Sequence, residues 1–156
     1  MIYFEPAFDS YSPCVLLQGA VPVSIKLQFP LFTIDWQEVA AKINAKTRMI
    51  IINSPHNPSG NVLNQQDIDA LISLTENTDI VILSDEVYEH VVFDQDHQSM
   101  SRHPKLAARS VIVSSFGKSF NVTGWRIGYC LAPEAISVEI RKIHQYLTFA
   151  ADTPMQ

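Results

Sequence analysis

Apolar and polar positions along this chain fall into short unbroken apolar runs separated by segments with a helical repeat. Ile2-Tyr3-Phe4 reads as a buried strand, followed at once by Glu5-Pro6. Arg48 to Asn53 (RMIIIN), Asp79 to Leu83 (DIVIL) and Ser110 to Ser114 (SVIVS) are continuous runs of strand length. Arg126 to Ala132 (RIGYCLA) reads as a further strand. Asp35-Trp36-Gln37-Glu38 has the form of a capping box, with Ile34 and Val39 as a hydrophobic staple. Asn64 is placed to cap a helix running to about Asn77, with Ile68, Leu71, Ile72 and Thr75 on one face. Pro133 suits the first turn of a last helix, where Ile136, Ile140, Ile143 and Leu147 form an apolar stripe. Pro55-His56-Asn57-Pro58-Ser59-Gly60 is punctuated as a loop. Strands that do not alternate, with helices between them, predict an α/β fold: a three-layer α/β/α domain with a mostly parallel sheet.

Composition narrows this picture. The 156 residues are enough for one domain with its own core, and 47% apolar content excludes disorder. Charged residues are 17%, against roughly 25% in soluble domains, so surface is expected to be buried on both sides of the sheet or against further protein. The net charge of −5 and the scattering of eleven Lys and Arg give no basic stripe for nucleic acid. No apolar run approaches the roughly 20 residues of a membrane span, and no signal peptide is visible, so a cytoplasmic setting is expected. Asn121-Val122-Thr123 then matches a glycosylation acceptor by chance. Cys14 and Cys130 fit no metal spacing, and Cys130 is expected to be a buried free thiol. His56, His90, His97, His103 and His144 form no ligand pattern, and no metal site is expected. Trp125 reads as a packing residue. The abrupt ends at Ile2 and at Thr153-Pro154-Met155-Gln156 suggest a fragment.

The chemistry is expected past the carboxyl ends of the strands, where ligands of open α/β sheets bind. RMIIIN leads to Asn57, DIVIL to Asp85 and Tyr88, and SVIVS to Ser115 and Lys118. Each residue alone has a plainer reading: Lys118 and Arg126 as surface cations, Asp85 as a cap, Tyr88 as core with a wet tip, Asn57 as a turn residue and Phe8 as core. Their joint placement on successive strand ends favours a shared crevice. Gly117-Lys118-Ser119 lacks the glycine five residues before Gly117 that a phosphate-binding P-loop needs, since Ile112 stands there. Ser115-Phe116-Gly117-Lys118 fits S-x-x-K of serine acyl-enzymes, but the companion motifs are missing. A pyridoxal-phosphate lysine needs an acidic partner for the ring nitrogen and groups for the phosphate, which Asp85, Ser115 and Arg126 can supply.

The segments Asn53 to Gly60 (NSPHNPSG), Ser84 to Tyr88 (SDEVY), Ser114 to Ser119 (SSFGKS) and Gly124 to Tyr129 (GWRIGY) together resemble the class I/II aminotransferases of fold type I. Glu5 to Tyr11 (EPAFDSY) is similar to the methionine and kynurenine aminotransferase branch. The resemblance implies part of a large, cofactor-binding domain, with an upstream phosphate loop and a C-terminal small domain lying outside residues 1–156. It implies pyridoxal 5'-phosphate as cofactor, amino acid and 2-oxo acid as substrates, and a homodimer when full length. By position, Lys118 would be the Schiff-base lysine and proton shuttle, with Asp85 paired to the pyridinium nitrogen. Asn57 and Tyr88 would bind the ring oxygen, Ser115 and Arg126 the phosphate, and Phe8 would stack on the ring. Ser59 departs from the family's usual threonine. Another fold-type I reaction, such as carbon–sulfur lysis, or a truncated non-catalytic chain, are the rival readings.

Overall fold

The computed structural model describes residues 1–155; the chain end at Gln156 lies outside the described residues. Six strands form one sheet: β1 (Ile2–Glu5), β2 (Val23–Lys26), β3 (Met49–Asn53), β4 (Val81–Asp85), β5 (Ser110–Ser115) and β6 (Gly128–Leu131). Their spatial order is β2-β1-β3-β4-β5-β6. All neighbours are parallel except β5 and β6. The chain steps from β1 outward to β2, then crosses back to β3 on the other side of β1. That reversal opens a crevice at the carboxyl ends of β1 and β3, where connections leave in opposite directions.

Helices α1 (Tyr11–Leu17), α2 (Trp36–Lys42), α3 (Gln65–Thr75), α4 (Pro104–Ala107) and α5 (Phe116–Ser119) lie in the connections, and α6 (Glu134–Leu147) follows β6. Residue parity divides the sheet. Ile2, Phe4, Ile50, Ile52, Ile82 and Ile112 share a core with Val39 of α2, Ile68 and Leu71 of α3, and Leu106 of α4. Each of these apolar side chains contributes about 1.5–3 kcal/mol by leaving water. The odd-numbered positions of β3 to β5 point to the opposite face, where α1 packs through Val15 and where Asn53, Asp85 and Ser115 stand. Register puts Asn53 beside Asp85, and Asp85 beside Val113.

The runs read as strands are strands, with shifted edges. The DIVIL strand begins at Val81 and extends to Asp85, because Asp79 and Ile80 still belong to the turn closed by the Thr78 side chain. The last strand is only Gly128–Leu131 and runs antiparallel at the sheet edge. An edge strand with no layer over it leaves Cys130 exposed, which corrects the expected buried thiol. Trp125 is likewise 53% exposed rather than packed. Asp35 caps α2 by accepting from the N–H groups of Gln37 and Glu38, but no reciprocal bond closes a box. Glu38 instead pairs with Lys42 one turn on, at 3.2 Å. The full capping box lies at α3: Asn64 accepts from Asp67 N–H, and Asp67 returns a bond to Asn64 N–H. That helix ends at Thr75, whose hydroxyl bonds back to Leu71. Pro133 caps α6 just outside its first turn.

Candidate active site

Each strand end delivers its side chain by a local device. Asn53 closes β3, and its amide donates to the Asp85 carbonyl at 3.0 Å, while its Oδ1 accepts from Asn57 N–H at 2.8 Å. The following loop is therefore pinned to β4 before it turns. His56 fastens it on the far side, with Nδ1 2.7 Å from the Ser59 hydroxyl and Nε2 2.9 Å from the Pro6 carbonyl. Burial lowers the His56 pKa, partly opposed by the bond to Pro6.

Asp85 ends β4 on the odd face, while Ser84 and Glu86 on either side are buried. Its Oδ1 accepts from Val87 N–H at 3.2 Å and its Oδ2 from the Tyr11 hydroxyl at 2.5 Å. Glu86 anchors the turn beneath it. Its carboxylate accepts from Ser84 Oγ, from Met100 N–H and from His97 Nε2, at 2.8, 3.0 and 2.8 Å. Burial alone would raise this carboxyl's pKa, yet the hydrogen bonds, His97's foremost, hold it below the usual carboxylate range.

Ser115 ends β5 and caps the single turn of α5, its Oγ accepting from Gly117 N–H at 3.0 Å. A Cβ at Gly117 would stand 3.1 Å from both Ser115 Oγ and Thr123 Cα, so the turn carrying Lys118 is packed closely and a side chain there would press on both neighbours. The Lys118 ammonium sits 5.9 Å from the centre of the Tyr88 ring and makes no salt bridge among the described residues. Arg126 adopts a left-handed backbone, φ 57° and ψ 35°, at the end of the 3₁₀ turn Thr123–Trp125. That conformation costs a non-glycine residue about 1–2 kcal/mol. One Arg126 N–H group donates to the Thr123 carbonyl at 3.1 Å.

These pieces meet. Phe8, Asn57, Asp85, Tyr88, Ser115, Lys118 and Arg126, the residues anticipated from sequence, all line one cleft of about 430 Å³. The cleft is bounded further by Asn53, Val87, Val113 and Ser114. Its set of groups is mixed in the way a charged aromatic ligand requires: one carboxylate, an amine, a guanidinium, two amides, hydroxyls and aromatic rings. The matching comparisons cover the same ground. Residues 1–156 match the family model for aminotransferases of class I and II.

The chain belongs to the class I and II aminotransferase family.

Methionine aminotransferase of Escherichia coli is 50% identical over 100% of this chain and 41% of its own length. Kynurenine–oxoglutarate transaminase 1 of Rattus norvegicus is 34% identical, again over the whole chain and 40% of its own length. Among solved structures, YbdL from Escherichia coli, described as having a methionine aminotransferase function, superposes with a TM-score of 0.96. It is 51% identical and matches 98% of this chain and 41% of its own. N-Succinyldiaminopimelate aminotransferase from Mycobacterium tuberculosis superposes with a TM-score of 0.91 at 37% identity, over 96% of this chain and 40% of its own. This chain thus spans about two fifths of the length of the aminotransferases it matches.

Sequence reasoning passed over two residues of the site. Asn53 was read as the end of a strand, though an amide closing an otherwise aliphatic run signals a polar task. Tyr11 closes the segment EPAFDSY, where nothing in the sequence gives it a role of its own. Only the fold shows it reaching Asp85 across 74 positions.

Proposed function

We propose that the full-length protein is a pyridoxal-phosphate-dependent aminotransferase. It moves an amino group from an amino acid, of methionine or aromatic, kynurenine-like type, to a 2-oxo acid. The convergence of the seven anticipated residues on one cleft carries this reading. When bound, pyridoxal phosphate supplies a carbonyl carbon for the amino group and a conjugated ring that takes up electrons from the substrate's Cα–H bond.

The chain's own residues suit that guest group by group. The Lys118 amine, free of any carboxylate partner among the described residues, would hold the cofactor and, once released by substrate, would accept the proton of the substrate's Cα at Nζ. Asp85 offers a carboxylate to the ring N–H and favours its protonated form. Asn57 and Tyr88 hydrogen-bond the ring oxygen, and Tyr88 also faces the Lys118 ammonium. Ser115 and Arg126 take the phosphate, Arg126 with the paired donors of its guanidinium. Phe8 supplies an apolar face against the ring.

The substrate class is supported by likeness to methionine aminotransferase and to kynurenine–oxoglutarate transaminase. The same proposal makes residues 1–156 part of a cofactor-binding large domain, completed by a phosphate loop, a small domain that grips the substrate carboxylate, and a second subunit. Its setting is the cytoplasm, in keeping with two free, exposed thiols. Among the described residues no helix is long and apolar enough to cross a membrane.

The test uses the full-length protein. Added pyridoxal phosphate is expected to give a near-visible band, and borohydride followed by peptide mapping to place the pyridoxyl group on Lys118. Methionine or aromatic amino acids with a 2-oxo acid are expected to turn over. A pyridoxyl group on another lysine, or carbon–sulfur cleavage in place of amino transfer, overturns the reading.

A further inference from the structure

The two oxygens of Asp85 have different donors. Val87 N–H, two residues on, holds Oδ1 at 3.2 Å. The Tyr11 hydroxyl, from the first residue of α1, holds Oδ2 at 2.5 Å. Tyr11 is tied to Phe8 twice as well. Its N–H donates to the Phe8 carbonyl at 3.2 Å, and its ring meets the Phe8 ring edge-on, with centroids 5.7 Å apart and planes at 73°. One half-buried tyrosine thus touches both the carboxylate and the aromatic ring of the cleft. Burial, and then the negative charge of Asp85, push the Tyr11 phenol far above its ordinary pKa. It therefore stays a neutral donor throughout the working pH range.

We propose that Tyr11 is a positioning residue for the cofactor ring: its hydroxyl fixes the Asp85 carboxylate in one orientation, and its ring sets the pose of Phe8. This rests on the reading of Asp85 as the partner of the ring nitrogen. Without the hydroxyl, Oδ2 loses its fixed donor, and the carboxylate can rotate about its Cβ–Cγ bond and take water instead. Val87 N–H alone constrains only one oxygen. Phenylalanine at position 11 keeps the edge-on contact with Phe8 and removes only the bond to Asp85, so the two tasks can be separated.

The experiment uses the full-length protein loaded with pyridoxal phosphate, as Tyr11→Phe, Asp85→Asn and the double variant. Tyr11→Phe is expected to lower kcat about tenfold, on the scale of one hydrogen bond to a charged group, with KM changed less than about twofold. The pH midpoint of the bound cofactor's near-visible absorbance is expected to shift in Tyr11→Phe. In the Asp85→Asn background the same substitution is expected to change neither kcat nor the midpoint, because the group it orients is gone. 3-Fluorotyrosine at position 11, a stronger donor of the same shape, is expected to move the midpoint opposite to Tyr11→Phe. Losses that multiply in the double variant overturn the proposal for Tyr11 alone. So does a Tyr11→Phe protein whose melting temperature falls while kcat and the midpoint stay put. Unchanged turnover in Asp85→Asn overturns the reading of Asp85 itself, and with it this one.

Discussion

At the scale of single residues, most of the cleft was legible because its side chains are chemically unusual where they stand. A lysine, a carboxylate and an arginine at the ends of aliphatic runs have few structural reasons to be there. Tyr11 escaped that logic, since a tyrosine among apolar neighbours looks like core and its hydroxyl's partner is remote in sequence. Its titration tests the contact directly. Both burial and the adjacent Asp85 charge disfavour the phenolate, so Asp85→Asn removes the second cause and leaves the first. In the parent protein the Tyr11 phenol is expected to stay neutral at about pH 11, where a free phenol is largely ionised. Tyrosine labelled at 13Cζ, with the Tyr11 resonance assigned by its loss in Tyr11→Phe, reads this out. A Tyr11 resonance that reaches the phenolate position by about pH 11 shows that burial and Asp85 do not act on it. The exposure of Cys130 and Trp125 was illegible for a related reason. Apolar character says that a side chain prefers burial, not that a covering layer exists.

At the scale of elements, β1, β3, β4, β5 and α3 followed from hydrophobic pattern and capping residues, while α1 and β2 did not. Both are short, and β2 has one buried residue, Ile25, so no apolar run marks it. Two connections make local predictions. Glu86 ties β4 to the 3₁₀ turn Met100–Arg102 through His97 and Met100 N–H. Its pKa is depressed in the fold, so its stabilisation is complete above the ordinary carboxyl range and disappears as pH falls through the depressed value. Glu86→Gln is expected to cost about 2 kcal/mol at pH 7, with the gap to the parent closing as pH falls below the ordinary carboxyl range. Urea denaturation across pH checks it, and a gap that widens in acid contradicts it. Gly128 pairs with Ser115 across β5 and β6, and a Cβ there would collide with the Ser114 carbonyl. Gly128→Ala is expected to destabilise the protein by about 1–3 kcal/mol and to weaken cofactor retention, because Ser115 is displaced with the strand. Thermal melts and cofactor titration measure both; retention at parental affinity shows that the Ser115 turn absorbs the change.

At the scale of the whole molecule, the low charge content acquires a physical meaning. The second half of the apolar stripe of α6 is uncovered, with Ile143 61% and Leu147 81% exposed. Beside α1 a largely apolar groove of about 870 Å³ lies open over the odd-numbered face of the sheet. Surfaces of this kind belong against further protein. Residues 1–156 produced alone are therefore expected to self-associate and to transaminate no faster than free pyridoxal phosphate. Light scattering and an assay with methionine and a 2-oxo acid decide it, and turnover by the isolated segment shows that it suffices by itself. The parity of the sheet has a further consequence, for which changes of length the protein can tolerate. Asp85 reaches the cleft and its neighbours Ser84 and Glu86 reach the interior only because they differ by one step along a strand whose side chains alternate. Deleting a single residue between Val81 and Ser84 would exchange those assignments, turning a buried glutamate's position toward the ligand and a charged aspartate into the aliphatic core. Length variation in this protein should therefore gather in the 93–99 connection and stay out of the four or five residues that precede each functional side chain.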